Sequence, residues 1–300
     1  MKLLLKFNLI FVVVFGLGMV LAWFLAHEFL RQEAREQVLD QAKLMMQTTL
    51  SMRRYTATQI KPILEARNDL RKTFLPQVVP AYSATEVFNY LHEQYPDYFY
   101  KEATLNPTNL RDRAVDWEAD VVNTFRNRPE QKEFVGERMT PSGVSLFFSR
   151  PIRIADPECL ECHSVPGKAP ASMIRQYGRD NGFGWRVNDV IGAQIISVPD
   201  SLPAQIANRG AKQLVFYLIV IAFVTLGVLD GVLYLTVIRP VSRLSTMADE
   251  ISRGNMEVEE LPVRGKDEIS VLAASFNRMH RSLGRAMEML SRENPIDPVP

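Results

Sequence analysis

Two long apolar runs bracket a polar middle. Phe7 to Ala26 is 20 residues without a charge, preceded by Lys2 and Lys6, and Leu214 to Ile238 is 25 residues broken only by Asp230. About 20 apolar residues suffice for a helix to cross the hydrocarbon layer, so both runs are expected to be membrane spans. The first is too long for a typical signal-peptide core, and Phe24 fills the small-residue position before Ala26, so an uncleaved anchor is expected. The implied layout is a span at 7–26, a loop domain at 27–212, a second span at 214–238, a terminal module at 239–290 and a tail at 291–300. Lys2, Lys6, Arg239, Arg243 and Arg253 on one side nearly balance Arg31, Arg35, Arg209 and Lys212 on the other, so the positive-inside rule does not orient the chain. Asp230 is an ionisable group inside a span, where such groups are expected to find partners; Asn8 and Lys6 lie at the same membrane face if the spans are antiparallel.

Within the middle, residues 28–61 read as a long helix continuing from the first span. Val38, Ala42, Met45, Thr49, Met52 and Thr56 fall three or four apart on one stripe. Pro76 to Pro80 breaks the pattern, and Ser83 with Glu86 forms a capping-box signature opening a helix to about Gln94. A strand is expected over Asp97–Leu105 and a helix over Asp112–Arg126. Two further strands, Lys132–Met139 and Val144–Ile154, are joined by a turn at Thr140, Pro141, Ser142 and Gly143. Gly178, Gly182 and Gly184 mark an irregular stretch. A last strand covers Val190–Val198, with Ile191, Ala193, Ile195 and Ser197 sharing one half-buried face. Hairpin-linked strands mixed with helices indicate an α+β domain.

Beyond the second span, Val241, Leu244, Ala248 and Ile251 follow at helical spacing, Gly254-Asn255 stops that helix, and Met256–Arg264 has no helical period. Asp267-Glu268 opens a second helix with Ile269, Leu272, Phe276, Met279, Leu283, Ala286 and Leu290 three and four apart. Two short heptad helices cannot bury such seams alone. Two copies pack as a parallel four-helix bundle, so a homodimer is expected.

Composition narrows the chemistry. Apolar residues make up 47% and the formal net charge is +1, which excludes a largely disordered chain and a dedicated nucleic-acid binder. The chain has two cysteines, Cys159 and Cys162, and His163 follows directly. Two thiols at this spacing can each add to one vinyl group of a haem, forming two thioether bonds, with His163 then placed as the proximal ligand to the iron; the pattern is the recognised signature of c-type haem attachment. A dithiol redox site lacks a surrounding thioredoxin-like pattern, and a zinc site lacks further ligands nearby, since His27, His92 and His280 are scattered. Haem c is attached outside the bacterial inner membrane, so residues 27–212 are expected in the periplasm and both termini in the cytoplasm. Met52 is a candidate distal ligand, with Tyr55 and His92 as further candidates and an open iron equally allowed. Any one of them is more economically a packed or surface residue. Arg150 and Arg153, on the strand entering the haem loop, are candidate partners for haem propionates, as are Lys101 and Arg113.

Several blocks agree in order with a known family: Val79 to Tyr82, Tyr100 to Asn109, Arg113-Ala114 with Trp117-Glu118, Cys159 to His163, and Tyr177 to Trp185. Over roughly residues 40–200 the chain resembles a family of extracytoplasmic c-type haem domains long described only as a domain of unknown function. The resemblance implies a PAS-like fold and a redox- or gas-sensing role. Members can use a cysteine thiolate opposite the proximal histidine, but this chain has no third cysteine to supply one. Residues 238–290, with Pro240, Gly254-Asn255, Asp267-Glu268-Ile269 and Phe276 to Met279, resemble a HAMP domain, which implies a homodimer passing conformational signals from a membrane helix.

The sequence thus points to a non-enzymatic, dimeric inner-membrane receptor that senses redox state or a diatomic gas through haem c. Ser291–Pro300, with three prolines, offers no output module, so a separate cytoplasmic signalling protein is the expected partner. The alternative is a membrane-anchored c-type cytochrome for electron transfer, which explains the haem and leaves the HAMP-like region idle.

Overall fold

The computed structural model describes residues 2–66, 74–140, 143–263 and 265–293. Pro141 and Ser142 of the expected turn, Arg264 of the connector and residues 294–300 of the tail lie outside the described residues. The chain divides into two units, Phe24–Lys212 and a second made of Met1–Trp23 with Gln213–Pro300.

The first helix, α1 (Lys2–Tyr55), contributes to both units. It passes through a widened π turn, Thr56–Ile60, into α2 (Lys61–Glu65). A second π turn, Tyr234–Ile238, joins α7 (Ser201–Leu233) to α8 (Arg239–Ser252). Each ends two residues before a proline, Pro62 and Pro240. The proline ring clashes with the carbonyl four residues back and removes a donor, and widening the preceding turn relieves both effects. The long helix expected over 28–61 is therefore present, carried one turn further by a change of helical form. Two continuous helical stretches, Leu4–Glu65 and Ser201–Ser252, are long and apolar enough to cross a membrane, and their apolar windows are not buried in the protein.

In the middle unit, α3 (Pro80–Gln94) leads to β1 (Phe99–Thr104), α4 (Asp116–Asn127), β2 (Phe134–Thr140) and β3 (Gly143–Arg153). The short helices α5 (Cys159–His163) and α6 (Ala171–Tyr177) precede β4 (Val190–Pro199). The four strands form one antiparallel sheet in the order β1-β4-β3-β2. Alternation sends neighbouring residues to opposite faces. Leu146, Phe148, Ile196 and Val198 meet Val38, Ala42, Met45 and Met46 of α1 and Phe88 of α3. Phe147, Ala193 and Ile195 meet Val121, Val122 and Phe125 of α4. Helices on both faces explain why β4 is buried along nearly its whole length, where the sequence pattern had indicated burial of one face alone.

Helix starts moved where local chemistry competed. α3 begins at Pro80, in the first turn where its missing N–H costs nothing, and not at Ser83. Ser83 Oγ donates back to the carbonyls of Gln77 and Val79, and Glu86 pairs with Arg111 at 2.8 Å, so the capping-box reading fails. A 3₁₀ turn at Leu110–Asp112 delays α4 to Asp116, where Glu118 accepts from the N–H of Val115 at 2.9 Å. α6 carries no strong period and was not foreseen; Gly178, at φ +83°, ends it.

In the helical unit, Asn8 Nδ2 donates to Asp230 Oδ2 at 3.1 Å, the partnership expected of antiparallel spans. α9 (Glu268–Glu293) opens on Asp267, whose carboxylate accepts from the N–H of Ser270 at 2.8 Å. Asn277 of α9 makes a two-way bond with Leu261 of the connector, donating at 2.9 Å to its carbonyl and accepting at 3.0 Å from its N–H. His280 approaches the Met256 carbonyl at 3.2 Å. The buried face of α9 is thus Ser270, Ala273, Asn277 and His280, while the apolar seam residues Leu272, Met279 and Leu283 are 48%, 54% and 42% exposed.

Candidate functional site

The segment carrying both cysteines is shaped by its flanks. Asp156 Oδ1 accepts from the N–H of Glu158 at 2.9 Å and its carbonyl from the N–H of Cys159 at 3.2 Å, an Asx turn that opens the single helical turn of α5. Both thiols are free and partly buried. Burial pushes each thiol upward in pKa; at Cys159 Asp156 adds to this, while Lys61 and Arg53 pull the other way. At Cys162 the further upward push comes from Glu161. Both are therefore protonated thiols near neutrality, the form that adds S–H across a carbon–carbon double bond.

His163 is the most constrained member. Its Nδ1 lies 2.8 Å from the Gly182 carbonyl and 3.4 Å from Thr108 Oγ1. Since a carbonyl only accepts, Nδ1 carries the proton in that contact and Nε2 keeps its lone pair. Burial lowers the His163 pKa, with the Gly182 bond opposing, so the neutral ring is favoured. The ring stacks on Trp185 with centroids 4.0 Å apart and planes 14° from parallel. Gly184 N–H to Ser164 O at 2.9 Å and Trp185 N–H to His163 O at 3.3 Å zip the glycine-rich stretch to the end of α5. Gly182 is required here: φ is +82°, and a Cβ would stand 2.0 Å from Thr108 Oγ1 and under 3 Å from the Thr108 backbone.

The end of the long helix flanks the same segment. Lys61 Nζ bonds Glu158 at 2.9 Å, next to Cys159. Arg53 bonds both oxygens of Glu102 at 2.6 and 2.5 Å; Tyr100 Oη donates to Glu102 at 2.8 Å and accepts from Gln194 Nε2 at 3.1 Å. Burial acts against the charge of Arg53, and Glu102 more than restores it. Burial also drives the Tyr100 hydroxyl far up, so it stays a donor. Asp112 is raised to about 6, first by burial, with Arg111 and Lys101 opposing and Glu102 adding.

The other sequence candidates are placed differently. Arg150 pairs with Glu133, and Arg153 donates to the carbonyls of Asn188 at 3.1 Å and Pro129 at 2.9 Å. Lys101 is held by Glu118 at 2.7 Å, and Arg113 reaches Asn181, the neighbour of Gly182, at 3.1 Å. Met52 is partly buried and its sulfur accepts from Thr56 at 3.9 Å; Tyr55 is exposed; His92 Nδ1 contacts the Tyr98 carbonyl at 2.7 Å. Sequence reasoning missed Lys61, which reaches Glu158 beside Cys159. Thr108, Gly182 and Trp185 lay within the matched blocks without a role.

Residues 31–199 match the Tll0287-like family, and residues 232–285 match the HAMP domain. The chain belongs to the Tll0287-like family. Among solved structures, that of the cyanobacterial haem protein Tll0287 is similar at 17% identity and a TM-score of 0.43, over 54% of this chain and 95% of that one. No curated protein matches the chain. This Tll0287-like chain therefore joins a mixed helix and antiparallel-sheet domain to a helical HAMP domain, a module of signal transduction, with two membrane-length apolar helices bracketing the former.

Proposed function

We propose that this Tll0287-like protein is a two-pass inner-membrane receptor that binds haem c on Cys159 and Cys162 and relays the state of the iron through its HAMP domain. One observation carries the reading: on a single turn, two free thiols stand beside an imidazole whose Nδ1 is tied to the Gly182 carbonyl. Metal-bound histidines are commonly fixed this way by a bond at the other ring nitrogen. These residues fit the group. Cys159 and Cys162 would hold it by thioether bonds, each S–H adding across one vinyl double bond. His163 would offer Nε2 to the iron. When bound, the haem supplies an iron whose oxidation state or exogenous ligand can change. The protein's own residues hold the ring of His163 against Trp185, keep its proton on Nδ1, and place cationic Lys61 against Glu158 at the start of the segment.

On this reading residues 27–212 are periplasmic, both termini are cytoplasmic, and the middle domain is PAS-like. The open seam of α9 supports a parallel homodimer, and a separate cytoplasmic protein receives the signal. The chain has no catalytic role of its own. Cysteine pairs introduced along α8 around Ala248 of the full chain, cross-linked in membranes with the iron held ferric and then ferrous, test the relay. Different cross-link patterns in the two states are expected; identical patterns contradict signalling. Rapid stoichiometric carbon monoxide uptake by the ferrous protein favours gas sensing over fixed-ligand electron transfer.

A further inference from the structure

A polar contact ties the two apolar runs together. Asn8 Nδ2 donates to Asp230 Oδ2 at 3.1 Å, across 222 residues of chain, and both residues are partly buried. Asn8 is the second residue of the run that begins at Phe7, and Asp230 stands a little over two turns before the second run ends at Ile238. Membrane helices commonly associate where small residues let their backbones approach closely. That is not how these runs are joined at their glycines: a Cβ added at Gly16, Gly18, Gly227 or Gly231 would meet nothing within 4 Å. Asp230 also adjoins a soft point in its own helix. One turn later α7 gives way to the π turn Tyr234–Ile238, which leads into α8 and its Pro240. The bond therefore holds the last turn of α7, and the widened turn beyond it is where α8 can change its angle.

We infer that Asn8 and Asp230 form a clasp that sets the resting register of α7 on α1 and so biases α8, the first helix of the HAMP domain, toward one of its packings. This rests on the relay reading above. A polar group inside a span is costly without a partner, so sliding α7 off the bond strands both side chains in hydrocarbon. The clasped register is thus a discrete state. The size of the effect suits a switch: a hydrogen bond between membrane helices shifts an equilibrium about threefold on average. A tie of that strength tilts a two-state element without locking it.

The test uses the full chain in membranes under one fixed redox condition, with two cysteine reporters. Phe11→Cys with Leu226→Cys reads the register of the spans, since both residues are partly buried and lie about one turn from Asn8 and Asp230 in the antiparallel sense. The cysteine pairs around Ala248 read α8. Asn8→Leu and Asp230→Leu should each lower cross-linking of the spans about threefold and change the α8 pattern. Asp230→Asn keeps an acceptor oxygen, and the exchange Asn8→Asp with Asp230→Asn keeps donor and acceptor with their places reversed, so both should behave as wild type. Wild-type cross-linking in the two leucine variants overturns the inference, and so does a change confined to the spans that leaves α8 unaltered. Asp230→Asn or the exchange variant behaving like Asp230→Leu also overturns it, because the bond would then not be what matters. An α8 pattern that is the same in the ferric and ferrous wild-type chain instead overturns the relay reading, and it is measured without any of these variants.

Discussion

The two units of the protein solve burial in opposite ways. The middle unit closes on itself: one sheet, covered on one face by α1 and α3 and on the other by α4, leaves Phe125, Phe147 and Phe148 almost fully enclosed. The helical unit leaves most of its large apolar side chains uncovered, both along the membrane-length runs and on the seam of α9. What it buries in α9 is small or polar: Ser270, Ala273, Asn277 and His280, the last two bonded to the connector. A domain that fills both faces of its sheet can hold a site at fixed geometry. A helical module with an open seam is suited to changing partners or packing.

The sharpest way to break that contrast is to truncate the enclosed core. Phe148→Ala should cost about 3–5 kcal/mol, independent of protein concentration, as read by thermal unfolding of the full chain in detergent. A loss below 1 kcal/mol would mean that the middle unit is not self-sufficient.

Next in size is the cradle of His163. Gly182→Ala must accommodate both φ +82° and a Cβ driven into Thr108, for roughly 2–4 kcal/mol. Gly184→Ala has the same φ but nothing within 4 Å of its added Cβ, so it should cost about 1–2 kcal/mol from backbone strain alone. Equal melting temperatures for the two variants would show that the approach of Thr108 is not the constraint.

Asp112 gives a smaller, pH-dependent effect. Its folded pKa of about 6 lies above the ordinary 3.8, so the folded state holds the proton more tightly than the unfolded one between these values. Its contribution is fully present below about pH 4 and is lost as pH rises through about 6, a total of at most about 3 kcal/mol. Urea titrations from pH 4 to 7 should show that slope, and Asp112→Asn should flatten it; an unchanged slope in the variant assigns it elsewhere.

The most modest expected change probes the open seam. Leu283→Ala on a surface that stays open changes stability by less than about 0.5 kcal/mol, whereas on a surface covered by a second copy it costs about 2 kcal/mol and lowers the dimer fraction. Sedimentation of the full chain in detergent distinguishes these, and the proposed homodimer requires the latter.

Much of this was legible in the residues. Of the stripe Val38, Ala42, Met45, Thr49, Met52 and Thr56, all but the partly buried Met52 are buried as the 3–4 spacing indicated, because the helix packs on a sheet. Asp230 met Asn8 because antiparallel spans impose that register. The four strands were visible as alternating, turn-bounded runs. What failed depended on contacts distant in sequence. β4 looked half-buried because its second cover, α4, lies more than sixty residues away. Ser83 looked like a cap until Pro80 took the start of the helix. Lys61, 97 residues from Glu158, is brought onto it by tertiary packing, which no local pattern announces.

The most direct test is the mass of the full chain made in a host competent for cytochrome c maturation, compared with the Cys159→Ser/Cys162→Ser variant. The account predicts that the wild-type chain exceeds its amino-acid mass by one haem that survives denaturation, and that the variant has no such excess. A wild-type chain weighing only what its residues weigh would contradict it.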